Sequence, residues 1–147
     1  MRLGINLTDA FGAAYFPIYL KKQTNAEEVK PLRAVLQKME DFIAANSKEG
    51  SPFVMGTENP TQIDVHFFAH LVRIQMMEGS AFNDTIYEHI KFNEYPRIVK
   101  LLAAIRARPE FRGTLANPKS YHEFVDRFAA KPPGERVQLF LPCDNDE

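Results

Sequence analysis

The chain has 147 residues, of which 45% are hydrophobic and 25% charged, with a formal net charge of −1. This balance suits one globular domain with a sizeable core. It gives no electrostatic reason to expect nucleic acid as a partner. The basic cluster Arg97, Lys100, Arg106, Arg108 and Arg112 is accordingly expected to be a solvated helix face. The single cysteine, Cys143, excludes an intrachain disulfide framework and a cysteine-based zinc site. "MRLGINLTDAF" carries Asp9 where a signal peptide wants apolar residues, and no run approaches a membrane span, since Lys21, Lys22 and Arg73 interrupt the best candidates. A soluble, cytoplasmic protein without membrane contact is expected.

Leu3, Leu7, Phe11, Tyr15 and Ile18 fall at helical spacing, so a first helix is expected, with Pro17 kinking it or marking its last turns. Thr24 and Asn25 break it. Asn25 is then the N-cap of a second helix, with Glu27 and Glu28 at the positive end of its dipole. The stripe Val29, Leu32, Val35, Leu36, Met39, Phe42 and Ile43 defines its buried face, and its end is expected near Asn46. "SKEGSPFVMGTENP" is a loop punctuated by Gly50, Pro52, Gly56 and Pro60, and only its "FVM" has strand character. From Gln62 to about Met77 the chain is apolar nearly all round, which predicts a helix buried on every side. After "EGSAFNDT", a short helix is expected in "TIYEHIKF" and a clear one in "YPRIVKLLAAIRARP", where Pro109 stops it. Short helices are expected in "EFRGTLAN" and over 121–130, before a proline-bearing tail with an acidic end. The predicted fold class is all-α.

"ENPTQIDVHFFAH" places Asp64, His66 and His70 within seven residues. His66 and His70 share a helix face, but a zinc site needs a third ligand, and Asp64 points away from both. No metal is expected, and both histidines should pack against the core with a hydrogen-bond partner nearby. Thr61-Gln62-Ile63-Asp64 fits a capping box better: Thr61 is the N-cap, and the Asp64 carboxylate returns a bond to the Thr61 N–H. A buried helix cannot cap its first N–H groups with water, so it needs this side-chain solution. Loss of Thr61 or Asp64 is expected to cost about 0.5–2 kcal/mol each.

Three segments, in this order, resemble the C-terminal helical domain of the cytosolic glutathione transferases. "VKPLRAVLQKMEDFI" resembles the helix before the family's loop, and "FVMGTENPTQIDVHFFAHL" resembles the loop and core helix. "EYPRIVKLLAAIRARPEFRGTLAN" resembles the helix, "RP" break and short helix that follow. The likeness is greatest to alpha-, pi- and sigma-like classes. It implies an all-helical bundle over residues 1–118 and leaves residues 119–147 as an extension, partly helical and then irregular.

In that family the domain forms the wall of the electrophile pocket and much of a dimer interface. By resemblance, Asp9 reaches across the dimer to the γ-glutamyl ammonium of glutathione, and Phe11, Tyr15 and Tyr19 border the electrophile pocket. The partners implied are a second copy or another protein, and a small electrophile. Two departures accompany the likeness. The connection from Tyr19 to "VKPL" is shorter than in the pi class, and the thioredoxin-like domain that binds glutathione and activates its thiol is not among these residues. Cys143 lies outside the matched region, so no catalytic residue is expected within this chain. Glutathione would enter only as a co-substrate bound by that further domain. The alternative expectation is a non-catalytic docking or scaffold module, a use that isolated domains of this family also have.

Overall fold

The computed structural model describes residues 2–21, 25–79, 84–114 and 117–131. Their elements are α1 (Arg2–Lys21), α2 (Ala26–Asn46), α3 (Gln62–Gln75), α4 (Asp84–Ile90), α5 (Pro96–Arg106) and α6 (Pro118–Ala130). Short 3₁₀ turns cover Phe92–Glu94 and Pro109–Thr114. The described residues include no strand, and the fold is all-α. Phe53 to Gly56, the candidate strand, closes instead as a turn, with the Gly56 N–H donating to the Phe53 carbonyl at 3.0 Å. None of the described helices is long and apolar enough to cross a membrane.

α1 buries Leu7, Phe11, Tyr15 and Ile18 of the stripe its spacing predicts; the side chain of Leu3 lies outside the described residues. Pro17 lies in its last turns, one of the two places expected for it, and the helix continues to Lys21. α2 starts at a capping box: Asn25 Oδ1 accepts from the Glu28 N–H at 3.0 Å, and the Asn25 N–H donates to the Glu28 carboxylate at 3.4 Å. Its stripe from Val29 to Ile43 is buried except for Phe42, which is half-buried, and Glu40 is buried with it, at 5% exposure.

α1 packs on α2, α2 on α5, α5 on α3, and α3 back on α1, so four helices close a ring around the core. α4 packs on α2 outside this ring. Gly4 sits where α1 meets α3; a Cβ there would fall 2.2 Å from Ile63 Cδ1, so the absent side chain permits the approach. α6 is tied to the bundle at two points. The Tyr121 hydroxyl lies 3.4 Å from that of Tyr15, and His122 Nε2 lies 2.9 Å from the Met76 carbonyl oxygen. The tail beyond Lys131, with Cys143, lies outside the described residues.

α3 departs from its expectation. Ile63, Asp64, Phe67, Phe68, Leu71 and Ile74 are buried, but Gln62, Val65, His66, Ala69 and Arg73 are exposed. One face of the helix is thus left uncovered, although it carries valine and alanine: α1 and α5 flank α3 and Phe42 of α2 meets its Phe67, while the Val65 and Ala69 side stays exposed. His66, expected in the core, is exposed on that face, while His70 is half-buried.

The basic cluster also divides. Lys100 is exposed, as a solvated face requires. Arg108 is not free in solvent: it donates to the Glu58 carbonyl at 3.1 Å and to Asn59 Oδ1 at 2.9 Å, and lies 5.5 Å from the Phe53 ring centroid. It clasps the loop before α3, a role set by folding and not by its place near the end of α5. The side chain of Arg112 lies outside the described residues.

Candidate functional site

Two buried carboxylates shape the frame on which any site stands. Asp64, at 0% exposure, accepts from the Thr61 N–H at 2.7 Å and from the Thr61 hydroxyl at 2.6 Å, through Oδ2. Its Oδ1 accepts from the Val54 N–H at 2.7 Å. One side chain therefore starts α3 and fastens the preceding loop to it. Three hydrogen bonds to a buried charge exceed the capping role read from the sequence.

Glu40 does the equivalent for α5 from a distance. Tyr95, the N-cap of α5, offers no side-chain bond, and Pro96 has no N–H to satisfy. The next two N–H groups, of Arg97 and Ile98, both donate to the Glu40 carboxylate at 3.0 Å. Its charge sits at the positive end of the α5 dipole and satisfies donors that have no intrahelical partner. Arg97 Nη1 lies 3.5 Å from the same carboxylate.

The candidate site is an open groove of ≈ 540 Å³ between α1 and α3, lined by Thr8, Asp9, Gly12, Ala13, Phe16 and His70. Asp9, Ala13 and Phe16 stand at i, i+4 and i+7, one exposed stripe of α1. Phe16 is 45% exposed, unusual for so large an apolar ring. His70 faces the groove from α3, with its ring 5.4 Å from that of Phe11 beneath. Burial holds the His70 imidazole below its ordinary value; the neighbouring Arg73 and His66 push the same way, and Asp9 opposes them. The groove thus combines an exposed carboxylate, a titratable ring biased to its neutral form and an apolar wall. Such a surface can pair an ammonium group at Asp9 and cover an apolar one at Phe16.

Of the residues singled out by the resemblance, Asp9 lines the groove. Phe11 and Tyr15 lie in the core at 0% and 4% exposure, their rings stacked with centroids 5.3 Å apart. They form the floor behind α1, not the groove wall. Tyr19 belongs to α1, but its side chain lies outside the described residues. Phe16 and His70 are the groove residues that pocket assignment by resemblance passes over. The i, i+4, i+7 relation of Phe16 to Asp9 is the signal that points to it.

No group of three or more histidine, cysteine, aspartate or glutamate side chains suited to a metal ion occurs among the described residues. No family model matches the sequence, and neither the curated proteins nor the solved structures searched contain a match.

Proposed function

We propose that this chain is the acceptor-pocket half of a glutathione-conjugating enzyme, with the α1 and α3 groove facing a thioredoxin-like domain. In this reading Asp9 pairs the γ-glutamyl ammonium of glutathione across a dimer, and Phe16 covers an apolar electrophile. The observation that carries the reading is the position of Asp9: an exposed carboxylate at the rim of an apolar groove, on the helix ahead of the three segments that resemble the family. The chemistry of conjugation needs a thiolate, and the thioredoxin-like domain would supply the group that stabilises it. The described residues contribute pocket wall and an ion pair, not the activating group.

The test uses the endogenous protein, purified from its source through an antibody to this chain. Conjugation of glutathione to chlorodinitrobenzene is measured alongside the intact mass. The expected result is turnover, with Asp9→Asn raising KM for glutathione by roughly three- to tenfold, since it removes one partly solvated charge pair. A protein of 16.8 kDa that conjugates nothing sinks the proposal.

A second reading, a docking module for another protein, is favoured by one specific observation. The exposed stripes of α1 and α3 carry Ala13, Phe16, Val65 and Ala69, more apolar surface than a free helix pair needs. A stoichiometric protein co-purifying with an inactive chain, and released by Phe16→Glu, would select that reading.

A further inference from the structure

A second cavity, of ≈ 330 Å³, lies between the C-terminal end of α2, the loop after it and the first turn of α5. It shares no residue with the α1 and α3 groove. Three cations line it, Lys48 from the loop and Arg97 and Lys100 from α5, against one carboxylate, Glu49. Their convergence contrasts with a chain whose formal net charge is −1.

The three cations are not committed elsewhere to the same degree. Neither Lys48 nor Lys100 forms an ion pair among the described residues, whereas Lys30, Lys91, Arg33 and Arg108 each have a carboxylate partner. Arg97 lies 3.5 Å from Glu40 Oε1, and that carboxylate is itself occupied by the two N–H groups at the start of α5. Glu40 steers the Arg97 guanidinium while most of its own hydrogen-bonding capacity serves the helix.

The loop bearing Lys48 is held from several directions. The Ser51 N–H donates to the Lys48 carbonyl at 3.1 Å, and the Ser51 hydroxyl donates to the Thr57 carbonyl at 3.0 Å. Gly56, at φ 63°, passes so close that a Cβ would fall 2.6 Å from the Lys48 backbone nitrogen. A loop pinned this way loses little freedom when a ligand binds, which favours affinity. The lining is mostly polar, and its accessible apolar part comes from Ala44 and Pro52, since Ile43 is buried. Its size admits a small molecule and not a folded partner.

We propose that this cavity binds a small organic phosphate monoester, with the dianion held by Lys48, Arg97 and Lys100 and the ester group against Ala44 and Pro52. The anion calls for more than one cation, and the apolar surface of Ala44 and Pro52 distinguishes an ester from free phosphate. The site is independent of the groove and of any conjugating activity.

The experiment is a ¹⁵N-labelled titration of the full chain with phenyl phosphate, inorganic phosphate and chloride at matched ionic strength. Saturable shifts at the Lys48, Gly50 and Ser51 amides are expected, tighter for phenyl phosphate than for inorganic phosphate. Lys48→Gln and Lys100→Gln should each weaken binding by about three- to fivefold, as for exposed charge pairs, and raised salt should weaken it further. Lys30→Gln, at a cation paired with Glu27 near the start of α2, should leave it unchanged. Shifts from phosphate no larger than those from chloride, or lysine variants that bind as tightly as the parent, would overturn the proposal. Equal affinity for inorganic phosphate and the ester would overturn the ester assignment.

Discussion

Replacing Glu40 should be among the most damaging single changes outside the apolar core. In Glu40→Ala the N–H groups of Arg97 and Ile98 both lose acceptors at 3.0 Å, at a position 5% exposed. A buried donor left unsatisfied costs about 1–3 kcal/mol, and loss of a carboxylate at a helix N-terminus adds up to ~2 kcal/mol. Water reaching the exposed Arg97 side of the site relieves part of this, so a net loss of about 2–4 kcal/mol is expected. A domain of this size has a total stability on the order of 5–15 kcal/mol, so the change is large. It corresponds to a fall in Tm of roughly 5–15 °C. Glu40→Gln should cost about half as much: one amide oxygen can still accept from Ile98, but the charge facing the dipole is gone. Urea unfolding of the three proteins measures the order, and amide exchange at Arg97 and Ile98 locates the loss. A Glu40→Ala chain as stable as the parent, or a Gln variant no better than Ala, would show that solvent or a rearranged Tyr95 caps α5 instead.

Asp64→Ala should cost about 3–5 kcal/mol in the same assay, beyond an ordinary cap, because the buried Val54 and Thr61 N–H groups lose one shared acceptor; Asp64→Asn should recover part of it. Gly56→Ala should destabilise by at least about 1–2 kcal/mol, since a φ of 63° strains any Cβ and the obstructing atom is backbone; an unchanged urea midpoint would contradict the close approach to Lys48. The pH dependence of stability should carry a contribution from His70. Its folded value lies below the ordinary 6.5, so as pH falls through that value the unfolded chain takes up the proton first and stability drops. His70→Gln should flatten the stability profile between about pH 7 and pH 5, and superimposable slopes for the two proteins would remove His70 from the account.

What the sequence by itself determines here is local. Asn25 with Glu28 and Thr61 with Asp64 are three residues apart, and helix geometry alone brings each pair together, so both caps were legible before any tertiary contact was known. The same holds for the buried stripes of α1, α2 and α5, because a 3.6-residue repeat gathers apolar side chains on one face whatever the partner. What only the tertiary structure decided lies at long sequence separation. Glu40 reads as one more charge on an amphipathic helix, and only packing sets it beneath the start of α5, 57 residues on. Arg108 reads as a cation at a helix end, yet it grips a loop some 50 residues earlier. Hydropathy predicted an all-round burial of α3 that its neighbours do not supply, and it could not rank Phe11 against Phe16 for the groove. Which aromatic faces inward depends on where α3 crosses α1, a crossing set in part by the missing side chain of Gly4. Periodicity specifies which face of a helix is apolar, but the neighbours available to cover that face are a property of the whole chain's packing.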